Sequence, residues 1–246
     1  YYFEVQRFDR EVGELLDLLE KAGELSNTII VMTGDHGWPF PRGKSNLYDL
    51  GTRVPLAIMW GDSIKAPGRR IESFVSLVDI APTLYDLSGV TPPDGLHGGS
   101  LRGLLENDPN HREKTFVVTG KERHTPCQLD GMPGYPCRAI RTAKHLYIHN
   151  IHPDLWPAGA EDAPLKPGFA DIDGGPTKRL ILQDRDTGDG KKFFQLSCGK
   201  RPAEELYDCV KDPFQMNNLA GDPAMKQVLE TLRSQTFSRF ASRART

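Results

Sequence analysis

The sequence predicts an α/β chain: a partial parallel-type sheet flanked by helices, followed by a small α+β subdomain with an antiparallel sheet and a C-terminal helix. Three observations predict it. Ile29-Ile30-Val31-Met32-Thr33 is an apolar run without alternation, the pattern of a strand covered on both faces, and it follows an amphipathic helical stretch. A second apolar run, Pro55 to Trp60, is followed by another helical pattern, so the order is helix, strand, loop, strand, helix. Beyond Pro109 the texture changes to short β-branched or alternating stretches separated by turns, as in antiparallel sheets. The boundary is therefore set near Pro109, giving regions 1–108 and 109–246.

In the first helix Val5, Phe8, Val12, Leu15, Leu16 and Leu19 form the apolar stripe, with Glu4, Arg7, Arg10, Glu14 and Asp17 opposite and Gly23 as the stop. It reads as a core-packing helix that begins upstream of residue 1, and the chain as a fragment. The strand at 29–33 runs into Gly34-Asp35-His36-Gly37 and a loop from Trp38 to Gly51 rich in Pro, Gly and Asn. Loops at the carboxyl ends of strands in open α/β sheets are where ligands bind. Val75 to Ser88 reads as a helix on Leu77, Ile80, Leu84 and Leu87, with Pro82 near its first turns. A Gly- and Pro-rich passage, Gly89 to Gly99, leads to a short helix over Ser100–Leu105.

In the C-terminal region Thr115–Thr119, Arg138–Thr142 and His145–Asn150 are predicted strands, and Glu204–Asp208 a last edge strand. His152 to Thr177 holds five prolines and four glycines and reads as an irregular excursion. Met225 to Phe240 is predicted to be an amphipathic helix on Val228, Leu229, Leu232 and Phe237. Arg233, Arg239, Arg243 and Arg245 read as its solvated end.

Composition narrows the partners. The 246 residues are 38% hydrophobic and 26% charged, and 31 Lys and Arg against 33 Asp and Glu give a net charge of −2. Such a balance offers no global attraction to nucleic acid or to an anionic membrane. The longest purely apolar run, Val54 to Trp60, is far short of the roughly 20 residues of a membrane helix. Four cysteines are spaced as two local pairs, Cys127 with Cys137 and Cys198 with Cys209. If both pairs form, the compartment is oxidising; four reduced, buried thiols fit the spacing equally.

The candidate chemistry begins at Asp35 and His36. A carboxylate beside an imidazole at a strand end can share one divalent ion. Lys44 follows on the same loop, a second positive centre suited to a tetrahedral anion whose charge shifts in the transition state. Arg42 is placed at the exposed edge of that loop. Glu122, Arg123, His124 and Arg138 are candidate sugar contacts at a strand end and loop, while His145, His149 and His152 read as structural.

Asn27-Thr28-Ile29-Ile30-Val31-Met32-Thr33-Gly34-Asp35-His36-Gly37, with Gly43-Lys44 and Leu47-Tyr48-Asp49-Leu50-Gly51-Thr52-Arg53-Val54-Pro55-Leu56, resembles the second conserved block of the type I sulfatases, of the alkaline phosphatase superfamily. Ser76-Leu77-Val78-Asp79-Ile80-Ala81-Pro82-Thr83-Leu84, Glu205-Leu206-Tyr207-Asp208, Asp212-Pro213 and Asn218-Leu219-Ala220 resemble the rest of that family's C-terminal half. Pro39-Phe40-Pro41, Gly43 and Asn46-Leu47-Tyr48 look most like the N-sulfoglucosamine sulfohydrolases of heparan sulfate breakdown. The resemblance implies that Asp35 and His36 are metal ligands and that Lys44 contacts the sulfo group and its leaving-group atom. The implied metal is calcium first, with magnesium, manganese or zinc as alternatives because an imidazole is an untypical ligand for so hard an ion.

The resemblance also implies parts that this sequence does not contain: an aspartate pair, Lys and His partners, and a C-x-P-x-R motif whose Cys or Ser becomes the formylglycine nucleophile. Cys137-Arg138-Ala139-Ile140-Arg141 matches only a looser form, inside a predicted strand and after the Asp-His block, and reads as a decoy. The expectation is a hydrolase of sulfuric esters or sulfamates on sulfated carbohydrate, in a periplasmic, secreted or lysosomal setting. Its partners are the sugar and the N-terminal half of the same enzyme, and the isolated segment is expected to be inactive. The alternatives are a metal-dependent phosphatase or phosphonate hydrolase of the same superfamily and a non-catalytic carbohydrate-binding pseudoenzyme. The motif upstream separates the three.

Overall fold

The computed structural model describes residues 1–61, 63–129, 134–163 and 168–243. Arg245 of the basic C-terminal stretch and residues 164–167 of the irregular excursion lie outside them. The chain divides into two compact units, Tyr1–Thr33 with Pro55–Glu113, and Gly34–Val54 with Lys114–Thr246. The loop carrying Asp35, His36 and Lys44 thus groups with the C-terminal residues, whereas the sequence suggests one boundary near Pro109.

In the first unit, α1 (Tyr2–Lys21) ends where Gly23 takes φ +73° and the Glu24 amide donates back to the Leu19 carbonyl at 2.9 Å. The apolar stripe is present, but the expected core packing is not: no residue of α1 is buried, and Phe8, Leu15 and Leu18 stay exposed among the described residues. β1 (Ile29–Thr33) and β2 (Leu56–Trp60) pair antiparallel, with Ile29 opposite Trp60 and Thr33 opposite Leu56. This corrects the parallel-type pairing of the sequence reading. Thr33 faces Leu56, so the chain leaves and re-enters the pair at one end, and parallel pairing would need a crossover to the other end. The connection holds only α2 (Asp49–Thr52), a single turn. All five residues of β1 are half-buried, not covered on both faces.

The helix expected from Val75 starts later, as a 3-10 turn (Leu77–Asp79) followed by α3 (Ile80–Ser88). Buried Asp79 explains the start: one carboxylate oxygen accepts the Ser76 amide at 2.8 Å and the other the Gly99 amide at 2.9 Å. Pro82 sits in the first turn, where no intrahelical donor is lost. Thr83 accepts the Leu101 amide at 2.8 Å, tying the passage before α4 (Arg102–Leu105) back onto α3.

The second unit is a four-stranded antiparallel sheet of β3 (Phe116–Lys121), β4 (Cys137–Thr142), β5 (His145–Asn150) and β6 (Glu204–Asp208), in that spatial order. Period-2 alternation gives it two buried faces. On one, Ala139, Ile148, Leu146 and Tyr207 pack with Leu47, Tyr48, Tyr135 and Leu155. On the other, Ile140, Tyr147 and Leu206 lie under Leu229 and Leu232 of α7 (Lys226–Arg243). Arg233 fastens α7 to β6 by two bonds to the Glu204 carboxylate, at 2.7 and 2.6 Å.

Between β5 and β6 lie two helices the sequence reading did not anticipate, α5 (Pro176–Gln183) and α6 (Gly188–Ser197). Gly188 and Gly190 at the start of α6 and Gly174-Gly175 before α5 lower the local helical propensity and mask both helices. They close a third cluster in which Phe169, Ile172, Ala158 and Cys198 meet Trp156, Leu182 and Phe194. Buried Lys178 donates to the Phe169 and Ile172 carbonyls, both at 2.9 Å. The described residues of the excursion are thus held in place.

All four cysteines are free and buried, so of the two alternatives left open by the spacing the structure has the reduced thiols, and Cys127 is not paired with Cys137 nor Cys198 with Cys209. Cys127 is packed so closely on Gly159 that a Cβ there would lie 2.7 Å from its sulfur, and its thiol donates to Asp171 at 3.1 Å. Cys137 and Cys209 belong to the sheet cluster and Cys198 to the third cluster. Burial pushes the thiols up, to about 11 for Cys127, Cys137 and Cys209 and about 12 for Cys198. Cys137 opens a core strand and no helix, and Arg141 is engaged by Asp49, so the Cys137-to-Arg141 stretch has no nucleophile geometry. No helix among the described residues is long and apolar enough to cross a membrane.

Candidate functional site

The site is built on the loop from Gly34 to Val54, whose path depends on glycine at two close approaches. A Cβ at Gly43 would stand 2.2 Å from the Trp38 carbonyl oxygen, and one at Gly51 2.3 Å from that of Gly43. Lys44 lies between Arg42 and Ser45, which both adopt left-handed backbone, at φ 66° and 69°. For non-glycine residues that conformation costs about 1–3 kcal/mol each, so the surroundings must enforce it.

They do so on both sides. Arg42, placed in solvent by the sequence reading, is in fact buried. Its guanidinium donates to the carbonyls of Gln215 at 2.6 Å, Leu196 at 3.3 Å and Phe214 at 3.4 Å, and it stacks 4.1 Å over the Tyr48 ring. Tyr48 in turn donates to buried Glu205 at 2.7 Å, and burial raises its hydroxyl to about 12. Asp49 receives two bonds from Arg141, both at 2.9 Å. On the other side the Ser45 hydroxyl donates to Asp171 at 3.1 Å.

Asp35 and His36 stand together at the start of the loop. The His36 amide donates to Asp35 Oδ1 at 3.0 Å, while His36 Nδ1 lies 2.6 Å from the Gly37 carbonyl oxygen. A carbonyl only accepts, so Nδ1 carries a proton, and in the neutral ring Nε2 is the nitrogen with the lone pair. Nε2 is 3.6 Å from Asp35 Oδ2. That separation suits two ligand atoms each about 2.1 Å from one ion, and a ring nitrogen fixed through its partner nitrogen is how ligating histidines are held. The Asp35 side chain is 88% exposed, which leaves its second oxygen available. The pair therefore fits as two ligands of a divalent ion. Among the described residues no group of three or more His, Cys, Asp or Glu gathers around them.

Lys44 donates to both carboxylate oxygens of Asp173, each at 3.2 Å. Two residues away, Asp171 is a heavily engaged side chain. Besides Ser45 it receives Lys121 at 3.5 Å, His124 Nδ1 at 3.1 Å, the Thr125 amide at 3.2 Å, the Thr125 hydroxyl at 2.7 Å and the Cys127 thiol. Burial pushes its carboxyl upward, but the Lys121 charge and the Thr125 and Cys127 hydrogen bonds outweigh it, and the group stays below the usual carboxylate range. Lys121 also donates to the Pro157 carbonyl at 3.2 Å.

The structure thus brings His124 and Lys44 to one carboxylate-bearing segment, and it treats the other sugar-contact candidates differently. Arg138 donates to the carbonyls of Lys121 and Cys137 at 3.2 and 3.0 Å, pairs with Glu122 and lies 5.0 Å from the Phe240 ring. Most of its donors are therefore spent within the fold. Arg123 is exposed. Asp171 and Asp173 were missed by the sequence reading; the one signal for them is a pair of carboxylates two apart in the otherwise uncharged stretch Gly168-Phe169-Ala170-Asp171-Ile172-Asp173-Gly174.

Residues 1–90 match the family model described as Sulfatase. The chain is 32% identical to N-sulphoglucosamine sulphohydrolase of Homo sapiens over 95% of its own length and 45% of that protein's. It is 30% identical to an ulvan-active sulfatase of Formosa agariphila, over 95% of this chain and 36% of the relative. It also superposes, at 25% identity and a TM-score of 0.66, on a solved structure described as a complex with the substrate D-glucosamine-2-N,6-O-disulfate, covering 98% of this chain and 40% of that one. The mixed α/β architecture is the one these neighbours share, and the chain spans less than half the length of each of them.

Proposed function

We propose that this chain, which resembles sulfatases over residues 1–90 and N-sulphoglucosamine sulphohydrolase over 95% of its length, supplies one side of the active centre of a hydrolase cleaving sulfuric esters or sulfamates on sulfated carbohydrate. The observation that carries the reading is the presentation of Lys44. It projects between two left-handed residues from the loop that also bears Asp35 and His36, a conformation that must be enforced and so marks a functional position. Lys44 neutralises charge on the sulfo oxygens and on the leaving atom as the bond to sulfur breaks. Asp35 and His36 are two of the ligands of a divalent ion, which adds Lewis-acid charge stabilisation when bound; calcium, magnesium, manganese and zinc are the candidates.

His124, held through Nδ1 by Asp171 and partly exposed, is a donor or acceptor for a sugar hydroxyl. Glu122, Arg123 and Arg138 contribute at most to the rim. The sequence holds no C-x-P-x-R, so the formylglycine nucleophile comes from an N-terminal half of the same enzyme, and the 246-residue chain alone does not turn over substrate. The setting that goes with this reading is an exported compartment, periplasmic, secreted or lysosomal. The free thiols lend that placement no support.

The test is hydrolysis of glucosamine N-sulfate and glucosamine 6-O-sulfate by the complete enzyme that contains this chain. Lys44→Ala should lower kcat by about a hundred- to a thousandfold, the scale of one lost transition-state donor, with an unchanged unfolding midpoint. Unaltered turnover by that variant, turnover by the isolated chain, or a preference for phosphate monoesters would each overturn the reading.

A further inference from the structure

We infer that Asp173 is a positioning residue for Lys44, and that Asp171 secures the arrangement by clamping Ser45, the next residue in the chain. The inference rests on the proposed role of Lys44 and concerns how that lysine is aimed. Lys44 ends a flexible four-carbon stem, and a charge that must meet a sulfo group has to be confined before substrate arrives. Its backbone is already constrained by the left-handed residues on either side. What fixes the ammonium itself is Asp173, equidistant at 3.2 Å from both oxygens.

A bond to an exposed carboxylate would place it poorly, but Asp173 belongs to a segment that is itself held. The Asp171 amide donates to the Ala158 carbonyl at 3.1 Å, and Ile172 and Phe169 pack in the third cluster, their carbonyls bound by Lys178. The Asp171 side chain, 5% exposed, gathers donors from Ser45, Lys121, His124, Thr125 and Cys127. One short segment therefore holds Lys44 by the side chain of Asp173 and its neighbour Ser45 by that of Asp171. It also orients His124, which the chain supplies from the end of the sheet. A pair of unrelated surface ion pairs would not converge on adjacent residues of a strained loop.

The experiment is a double-mutant cycle in the complete enzyme, with kcat, KM and the unfolding midpoint measured for Lys44→Ala, Asp173→Asn and the double variant. Asp173→Asn should lower kcat about ten- to a hundredfold, the cost of a misaimed group, with KM and the midpoint little changed. In the Lys44→Ala background the same substitution should change kcat less than twofold, because a residue acting only through Lys44 has nothing left to position. Ser45→Ala, which leaves Asp171 its other donors, should also lower kcat without moving the midpoint. Wild-type kcat in Asp173→Asn, or an equal loss in both backgrounds, overturns the inference while leaving Lys44 in its role. If Lys44→Ala keeps full kcat, both the role and the inference fall.

Discussion

Glu205 offers the most direct measure of what holds the site's loop. Its side chain is 2% exposed, yet it is ionisable and lies on the last strand of the sheet. It accepts the Tyr48 hydroxyl at 2.7 Å, the Tyr207 hydroxyl at 2.5 Å and the Asn150 amide nitrogen at 2.8 Å. Glu205→Ala strands two buried hydroxyls, while Asn150 keeps a second acceptor, the Pro202 carbonyl at 2.8 Å. Each orphaned hydroxyl costs about 1–3 kcal/mol, and the neighbouring Arg201 loses the negative charge that compensates it, so about 4 kcal/mol is expected in all. Tyr48→Phe alone should cost about 1 kcal/mol. Added to Glu205→Ala it should cost nothing further, because the phenyl ring removes the donor that the first change orphaned. The assay is urea unfolding followed by far-UV circular dichroism, with both singles and the double variant. A loss below about 1 kcal/mol for Glu205→Ala, or strict additivity with Tyr48→Phe, would refute the view that this carboxylate anchors the loop.

Three further outcomes are expected. The thiols are free and buried, so a thiol reagent at neutral pH should label none of the four cysteines in the native chain and all four in denaturant; fewer than four on unfolding would reveal a disulfide. Asp171 titrates below the usual carboxylate range, so the stability it contributes is complete above the unfolded value near 4 and is lost as pH falls through its lower folded value. Acid unfolding of Asp171→Asn should accordingly lack that part of the pH dependence, and an identical profile would contradict the assignment. Manganese added at low concentration should broaden the ring resonances of His36 before those of His145, whose Nε2 is buried, and Asp35→Asn should weaken the effect; equal broadening would remove the pair as an ion site.

Local chemistry determined a large part of this protein. The strands at 145–150 and 204–208 lie where β-branched or alternating residues end at turns, and the last helix starts at Lys226, one residue from the start expected at Met225. Asp35, His36 and Lys44 stand out in the sequence because a strand, a glycine-rich turn and a basic residue follow one another along the sixteen positions from Ile29 to Lys44. What the tertiary structure decided concerns partners far apart in the chain. The first two strands pair antiparallel because of where the connection re-enters, which no strand's own composition specifies. Arg42 reads as a surface residue until carbonyls more than 150 positions away surround it. Asp171 and Asp173 meet Ser45 and Lys44 across 126 and 129 positions, through an excursion whose prolines and glycines erase any periodic signal. Periodicity and turn chemistry act over a few residues, whereas the charge that aims Lys44 arrives by the packing of Phe169 and Ile172, and only the folded chain brings that about.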